Sequence, residues 1–258
     1  MKYIGSAEVE AWIDGTRLNK PSAEVEFGQY RAYLDDGVLL MRNNARGQID
    51  ILGNAKFGIP QLSPSARLVF SELLEKDGCG NAGFFALDAG WRKAVYFSAS
   101  YSGEEVGMRT AEYELEFELG RDYDASAFMG SLMVLDRKNG KYEMMMPDGR
   151  TLSARIKLGK NSFCFMVNRE LGIITNRSEV HVIHDGVRHL IDLGRGEALD
   201  EPLVGTGRKD GCDWLVVKDA RWKKKCVVIA LGGPERYCYA VPEMVKKVGK
   251  GDSEGIMR

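Results

Sequence analysis

From Thr110 to Leu119 apolar and acidic residues alternate without a break. Ala111, Tyr113, Leu115, Phe117 and Leu119 fall on one side, and Glu112, Glu114, Glu116 and Glu118 on the other. A period of two over this length predicts a strand with one face on a core and the other toward water or a basic partner. Four glutamates on one face repel each other, which makes a solvated face the simpler expectation. The preceding run WRKAVYFSASYS, residues 91–102, predicts its antiparallel partner, with EEVGM (104–108) as the loop between them. One stretch has a helical period instead. In SPSARLVFSELLEKDG (63–78), Ala66, Val69, Phe70, Leu73 and Leu74 stand at i, i+3, i+4, i+7 and i+8. Ser63 can cap, Pro64 suits the first helical position and Gly78 supplies a stop, so a helix over 63–77 is predicted, its stripe laid on a sheet.

Turn signals punctuate the rest. Asp14-Gly15, Asp36-Gly37, Asn139-Gly140, Asp148-Gly149 and Asp185-Gly186 each lie between apolar or alternating segments. These dipeptides tolerate the positive φ angles of tight hairpin turns, and their recurrence predicts an antiparallel, hairpin-rich chain. GRDYDASAFMGS is small and polar and reads as a linker near residues 121–131. After it come LMVLDR, KYEMMM, RTLSARIKL, NSFCFMVN, GIITNR, EVHVIH, VRHLIDL, DWLVVKD, KKCVVIAL and RYCYAVP. Such a succession of short strands predicts a β-sandwich or related barrel. Residues 194–211 read as a long loop and 246–258 as a frayed tail. No internal sequence repeat stands out.

Composition narrows the class without naming a function. The chain has 258 residues, 44% apolar and 28% charged, which is globular composition. Its net charge of −1 gives no global attraction to nucleic acid or an acidic membrane. Residues 1–124 carry 13 Lys/Arg against 20 Asp/Glu, and residues 125–258 carry 23 against 17, so the halves differ in sign. No apolar run approaches the roughly 20 residues that span a bilayer, and the first residues carry no secretory pattern. The five cysteines (Cys79, Cys164, Cys212, Cys226 and Cys238) form no CxxC. Cys164, Cys226 and Cys238 lie within strand-like runs, as small hydrophobes of a protein folded in a reducing compartment.

Candidate chemistry is sparse. All three histidines, His181, His184 and His189, lie in HVIHDGVRHL. A two-residue turn at Asp185-Gly186 pairs His184 with Val187, Val182 with His189 and His181 with Leu190. His184 and His189 then share one face and His181 lies on the other. A catalytic zinc needs three converging ligands, so the hairpin supplies two at most and no metal site is expected. The serines of FSASYSG lack a nucleophile elbow. GTGRKDG (205–211) lacks the GK[ST] ending of a phosphate loop and reads as a turn cluster. Adjacent acids such as Glu104-Glu105 and Asp35-Asp36 flank turns. The cluster RWKKK (221–225) joins Trp222 to four cations, a charged turn before it is a phosphate or sugar contact. In Met144-Met145-Met146 alternation sends side chains to both faces, and at least one is expected in the core.

The order of elements in the first half, DG-turn strands, then SPSARLVFSELLEK, then LDAGWRKAVYFSASYSGEEVGMRTAEYELEFELG and a linker, resembles the tail-assembly proteins of bacteriophages, in particular the distal tail adaptor group at the tube–baseplate junction. The resemblance implies a helix packed on a split-barrel-like domain at 1–122 and a galectin-like β-sandwich at 130–245. It further implies a non-enzymatic virion protein, made in the host cytoplasm, that closes into rings, commonly hexameric. Its partners would be itself and neighbouring tube or baseplate proteins, with DNA passing through a channel and no specific nucleic-acid contact. No catalytic, cofactor or metal residues come with it. The two alternatives are a carbohydrate-binding sandwich with a platform including Trp214 or Trp222, and a β-rich hydrolase using His184 or His189.

Overall fold

The computed structural model describes residues 21–44, 48–51, 62–76, 79–102, 105–120, 122–158, 161–184, 187–192, 199–209, 212–219, 221, 227–231 and 239–240. These residues form strands and turns and no helix. Among the described residues five antiparallel sheets follow one another in chain order. The first contains β2 (Glu24–Phe27), β3 (Tyr30–Asp35), β4 (Val38–Asn43) and β5 (Gln48–Ile51). In the second, β6 (Arg67–Lys76), β7 (Cys79–Asp88), β8 (Lys93–Ser102) and β9 (Glu105–Glu114) are joined at the β6 edge by β1 (Pro21–Ser22). The third runs through β10 (Tyr123–Phe128), β11 (Ser131–Asp136), β12 (Lys141–Met145) and β13 (Thr151–Arg155). The fourth holds β14 (Ser162–Met166), β15 (Leu171–Asn176), β16 (Glu179–His184) and β17 (Val187–Asp192). The fifth holds β18 (Pro202–Lys209), β19 (Cys212–Asp219), β20 (Val227–Leu231) and β21 (Tyr239–Ala240).

By contacts the chain divides into two units. One comprises Asn19–Leu158 with Cys164–Gly172, the other Met1–Leu18, Gly159–Phe163 and Ile173–Arg258. In the first unit the second sheet is covered on both faces. Leu68, Phe84, Ala86, Val95, Phe97 and Tyr101 meet Val25, Phe27, Tyr30, Leu39 and Met41 of the first sheet. On the other face Val69, Phe85, Leu87 and Ala94 share a core with Ala125, Ala127, Leu132, Val134 and Met145 of the third. Large aromatic side chains carry much of this burial. Phe84 and Phe97 stack with centroids 5.1 Å apart.

Burial on both faces explains the main departure from the sequence-based expectation. The predicted helix 63–77 is instead a turn, in which Ala66 N–H donates to the Ser63 carbonyl at 3.0 Å, followed by strand β6. A strand between two sheets needs apolar residues at consecutive positions, as Leu68 and Val69 show. That pattern loses its period of two and mimics a helical stripe. A bulge at Ser71, between the pairs Phe70↔Phe84 and Glu72↔Gly83, shifts the register once more. Leu, Glu and Lys favour helices by tenths of a kcal/mol each, which pairing along β7 and burial between two cores override.

The residues read as a linker, near 121–131, contain β10. Its small side chains fit a two-sided buried strand, and Asp124 and Ser126 are buried there as acceptors for the Cys164 and Met166 N–H groups at 2.8 and 3.0 Å. Much of the supposed loop 194–211 is likewise strand β18. All ten second-half strands named from the sequence are present, and Met144, Met145 and Met146 are all buried. The alternation at 110–119 also holds. Hydrogen bonding to β8 ends at Glu114, yet Leu115, Phe117 and Leu119 stay buried while Glu116 and Glu118 stay exposed. EEVGM is not a loop throughout, because Val106, Gly107 and Met108 pair in β9.

Among the predicted turns, Asp36-Gly37 has the left-handed angles expected, φ 46° and 76°. Gly140 has φ 65°, and a Cβ there would stand 2.2 Å from the Ile156 carbonyl oxygen, so only glycine fits. Asp14-Gly15, Asp185-Gly186, Trp222, Cys226, Cys238 and the tail 246–258 lie outside the described residues.

The sheets share a structural repeat. The second strand of each sheet's four-stranded run ends on an aspartate or asparagine: Asp35, Asp88, Asp136, Asn176 and Asp219. They recur at intervals of roughly 40 to 50 residues, the interval of four-stranded repeat units such as propeller blades. Four of the five are buried, Asp35 being the exposed one. Asp88 accepts the Gly90 and Trp91 N–H groups, and Asp136 those of Lys138 and Asn139. A carboxylate at a strand end meets turn amides that have no ladder partner, which is why the position suits Asp and Asn.

Candidate functional site

The histidine hairpin folds in the predicted register: His184 pairs with Val187, Val182 with His189 and His181 with Leu190. His181 and His184 therefore lie on opposite faces of β16. The His181 ring is buried, and neither of its nitrogens makes a hydrogen bond, although Nε2 lies 3.4 Å from Glu179 Oε2. Burial lowers its pKa and Arg188 adds to that, while Glu179 opposes it, so the ring is neutral near pH 7. Among the described residues no three His, Cys, Asp or Glu side chains converge on a possible metal position. Trp214 pairs with Gly207 and Ala230 in the middle of the fifth sheet.

Glu143, which the sequence did not mark out, and Glu116 form an unusual polar arrangement. Glu143 stands mid-strand in β12, fully buried. Its Oε2 accepts the Glu116 N–H at 2.9 Å, and its Oε1 has no hydrogen-bond partner. The Glu116 carboxylate accepts the hydroxyl of Ser153, the residue paired across the sheet from Glu143. Burial pushes the Glu143 carboxyl up to about 7 and the Glu116 charge adds to this, against the opposing pull of the Glu116 amide and of Arg92. Arg92 itself donates Nε and Nη2 to the Leu115 carbonyl at 3.2 and 2.8 Å, and the Lys141 ammonium lies 5.5 Å from the Phe117 ring centroid. Glu143 is sealed from solvent, and its carboxyl serves the docking of 115–119 on the third sheet. The sequence signal was available: Glu143 interrupts a run, Tyr142 to Met146, that is apolar on both faces.

Asp219 is the opposite case. It accepts the Asp200 and Glu201 N–H groups at 2.6 and 2.9 Å, and the Arg221 N–H and guanidinium Nε at 3.0 and 2.6 Å. Burial would raise its pKa, but the Arg221 guanidinium and the three backbone amides outweigh that and bring it down to about 2. Arg221 of the RWKKK cluster is thus engaged at the β19 end and also bridges Asp200 at 2.8 Å.

Among the described residues an open groove of about 520 Å³ lies where β6 and β8 end and β7 begins. Its lining includes Leu74, Glu75, Cys79, Asn81 and Tyr101. The Tyr101 ring lies across Gly28 and Gly80, and a Cβ at Gly80 would come within 2.5 Å of its hydroxyl oxygen. That hydroxyl donates to Glu75 at 3.1 Å, and its pKa is pushed up to about 12 by burial and by Glu75. Among the described residues the exposed large apolar side chains are Leu74 in this groove, Val38, Leu73, Trp91 (48%) in the β7–β8 turn, and Val187 (48%) and Leu190 (57%) on β17.

No family model matches the chain. No curated protein matches it in sequence either. Solved structures with a similar course include the WD40 domain of SCAP from fission yeast, at 11% identity and a TM-score of 0.47, covering 83% of this chain and 56% of that one. Hsv2 of Kluyvelomyces marxianus shows 12% identity and a TM-score of 0.42 over 81% and 59% of the two chains. A catalytically inactive virginiamycin B lyase from Staphylococcus aureus, crystallised with quinupristin, shows 12% identity and 0.40 over 88% and 71%. The chain spans little more than half the length of the first two. At such identities and scores none of them brings an activity to this chain.

Proposed function

We propose that this chain is a non-enzymatic assembly protein, a succession of blade-like antiparallel sheets that works through its surfaces. The observation that carries the reading is the use made of the buried acids. Asp88, Asp136 and Asp219 are taken up by turn amides, and Glu143 by the amide of a docked segment, so the desolvated carboxylates hold backbone. The phage setting is part of the same proposal: a ring-forming adaptor of a tail or related injection apparatus, binding copies of itself and tube or baseplate neighbours. So is its finer division into a split-barrel-like part and a galectin-like sandwich. The test is native mass spectrometry with electron microscopy of the full chain at rising concentration. Closed rings are expected, and a chain monomeric throughout would overturn the assembly reading.

A carbohydrate-binding module is the second reading, favoured by Trp91, half exposed beside Arg92 and Lys93 in the β7–β8 turn. Trp222 occupies the same place after Asp219 that Trp91 occupies after Asp88. A glycan array separates this reading from the first.

A further inference from the structure

We propose that residues 115–119 form a proton-locked strap: the protonated carboxyl of Glu143 seats it on the third sheet, and lifting the strap releases that proton to solvent. The ladder between β8 and β9 ends at the pair Lys93↔Glu114, and residues 115–119 belong to no described strand. At its start the strap is tied to the β7–β8 turn. There the Leu115 N–H donates to the Arg92 carbonyl at 2.8 Å, and the Arg92 guanidinium returns to the Leu115 carbonyl. At its middle Glu116 reaches the third sheet twice, its N–H donating to Glu143 and its carboxylate accepting from Ser153. Leu115, Phe117 and Leu119 are buried in the core below.

Register places Val134, Glu143 and Ser153 in one row across the third sheet, with Asp136, Lys141 and Arg155 in the next row on the same face. The charged groups around Glu143 do little to hold an anion there. Glu116 faces it with a like charge. Arg92 attracts it, but that guanidinium is engaged by the Leu115 carbonyl and lies 3.8 Å from Glu114. Lys141 sits against the Phe117 ring, and Asp136 is taken up by the Lys138 and Asn139 amides. Glu143 is left with one amide on Oε2 and no partner on Oε1, a deficit that a neutral acid tolerates better than an anion. Burial, with Glu116, pushes its carboxyl up to about 7. When the strap lifts, water reaches the carboxyl, which returns to the ordinary range near 4.5. Docking is therefore tightest below about pH 4.5 and loosens as pH rises through about 7. Above that both forms are ionised and the dependence levels off.

Hydrogen exchange of the full chain, read by mass spectrometry and corrected for the intrinsic pH dependence of amide exchange, tests the strap with β8 as internal reference. Between about pH 5 and pH 8 the protection of the 116–119 amides should fall roughly tenfold to a hundredfold, while the β8 amides hold theirs. Glu143→Gln keeps an acceptor for the Glu116 N–H and cannot ionise, so its strap should be equally protected at both pH values. Glu143→Met has neither acceptor nor charge and should show lower protection, again without pH dependence. Thermal melting confirms that each variant folds. Wild-type protection that does not change with pH would overturn the strap, as would a fall shared equally by β8. The same fall in either folded variant would overturn Glu143 as the lock, and so would a wild-type fall that continues undiminished above about pH 9. The strap does not depend on the assembly reading, and none of these outcomes decides whether the chain forms rings.

Discussion

Asp219 and Glu143 are two buried carboxylates with opposite electrostatics. Asp219 lies at the end of β19, where three backbone N–H groups and a guanidinium converge on it, and it titrates at about 2. Glu143 lies in the middle of β12, where its own sheet has already used the neighbouring amides, and a single N–H from an adjoining segment reaches it. Its carboxyl titrates at about 7. The comparison teaches that burial alone does not set a carboxylate's protonation. What matters is whether the backbone around it has donors to spare, and in a sheet those occur at strand ends and turns.

The largest effect that would break this comparison is expected from Asp219→Ala. Removal of the acceptor strands the Asp200 and Glu201 amides while the Arg221 guanidinium keeps Asp200, and should cost about 3 kcal/mol in urea unfolding at pH 7. Because the folded pKa lies below the unfolded value, this contribution is present above roughly pH 4. It is lost as pH falls through about 2. Glu143→Gln acts with the opposite sign. A folded pKa above the unfolded one means that the stabilising contribution is full below roughly pH 4.5 and lost as pH rises through about 7. The amide keeps an acceptor for the Glu116 N–H and never ionises. Denaturation at pH 8.5 should therefore show the variant about 2 kcal/mol more stable than wild type, with little difference at pH 5. Equal or lower stability at pH 8.5 would mean that the buried carboxylate has partners beyond that single amide. The smallest effect is expected from Glu116→Gln, which removes a neighbouring negative charge and leaves the backbone donor in place. The Glu143 carboxyl resonance in a carbon-detected NMR titration should move its midpoint down by roughly a few tenths of a unit.

What could be read in advance follows the same geometry. The ten strands of the second half, and the pairing of His181 with Leu190, followed from turn dipeptides and local alternation. The burial of Leu115, Phe117 and Leu119 followed from a period of two that survives even where the strand leaves its sheet. The same rules failed at β6 and β10, where both faces are covered. Leu68 and Val69 serve different cores, and Asp124 and Ser126 of a seemingly polar segment are buried acceptors. The structural repeat is not legible in the sequence because its common feature is one Asp or Asn at the end of a second strand, and strand order is set only by pairing. Glu143 escaped for a related reason: a glutamate in a strand ordinarily marks the solvent face.

The amino-acid sequence by itself determined where the chain turns and which hairpins close, because φ preferences and two-residue loops act over a few neighbours. Tertiary structure alone decided that 67–76 is strand and not helix. Helix and strand propensities differ there by tenths of a kcal/mol per residue, whereas burial between two sheets contributes about 25 cal/mol for each Å² of apolar surface removed from water. It also decided which acids keep their charge, since that depends on donors arriving from residues distant in the chain. For Asp219 those include the amides of Asp200 and Glu201, and for Glu143 the lone amide of Glu116.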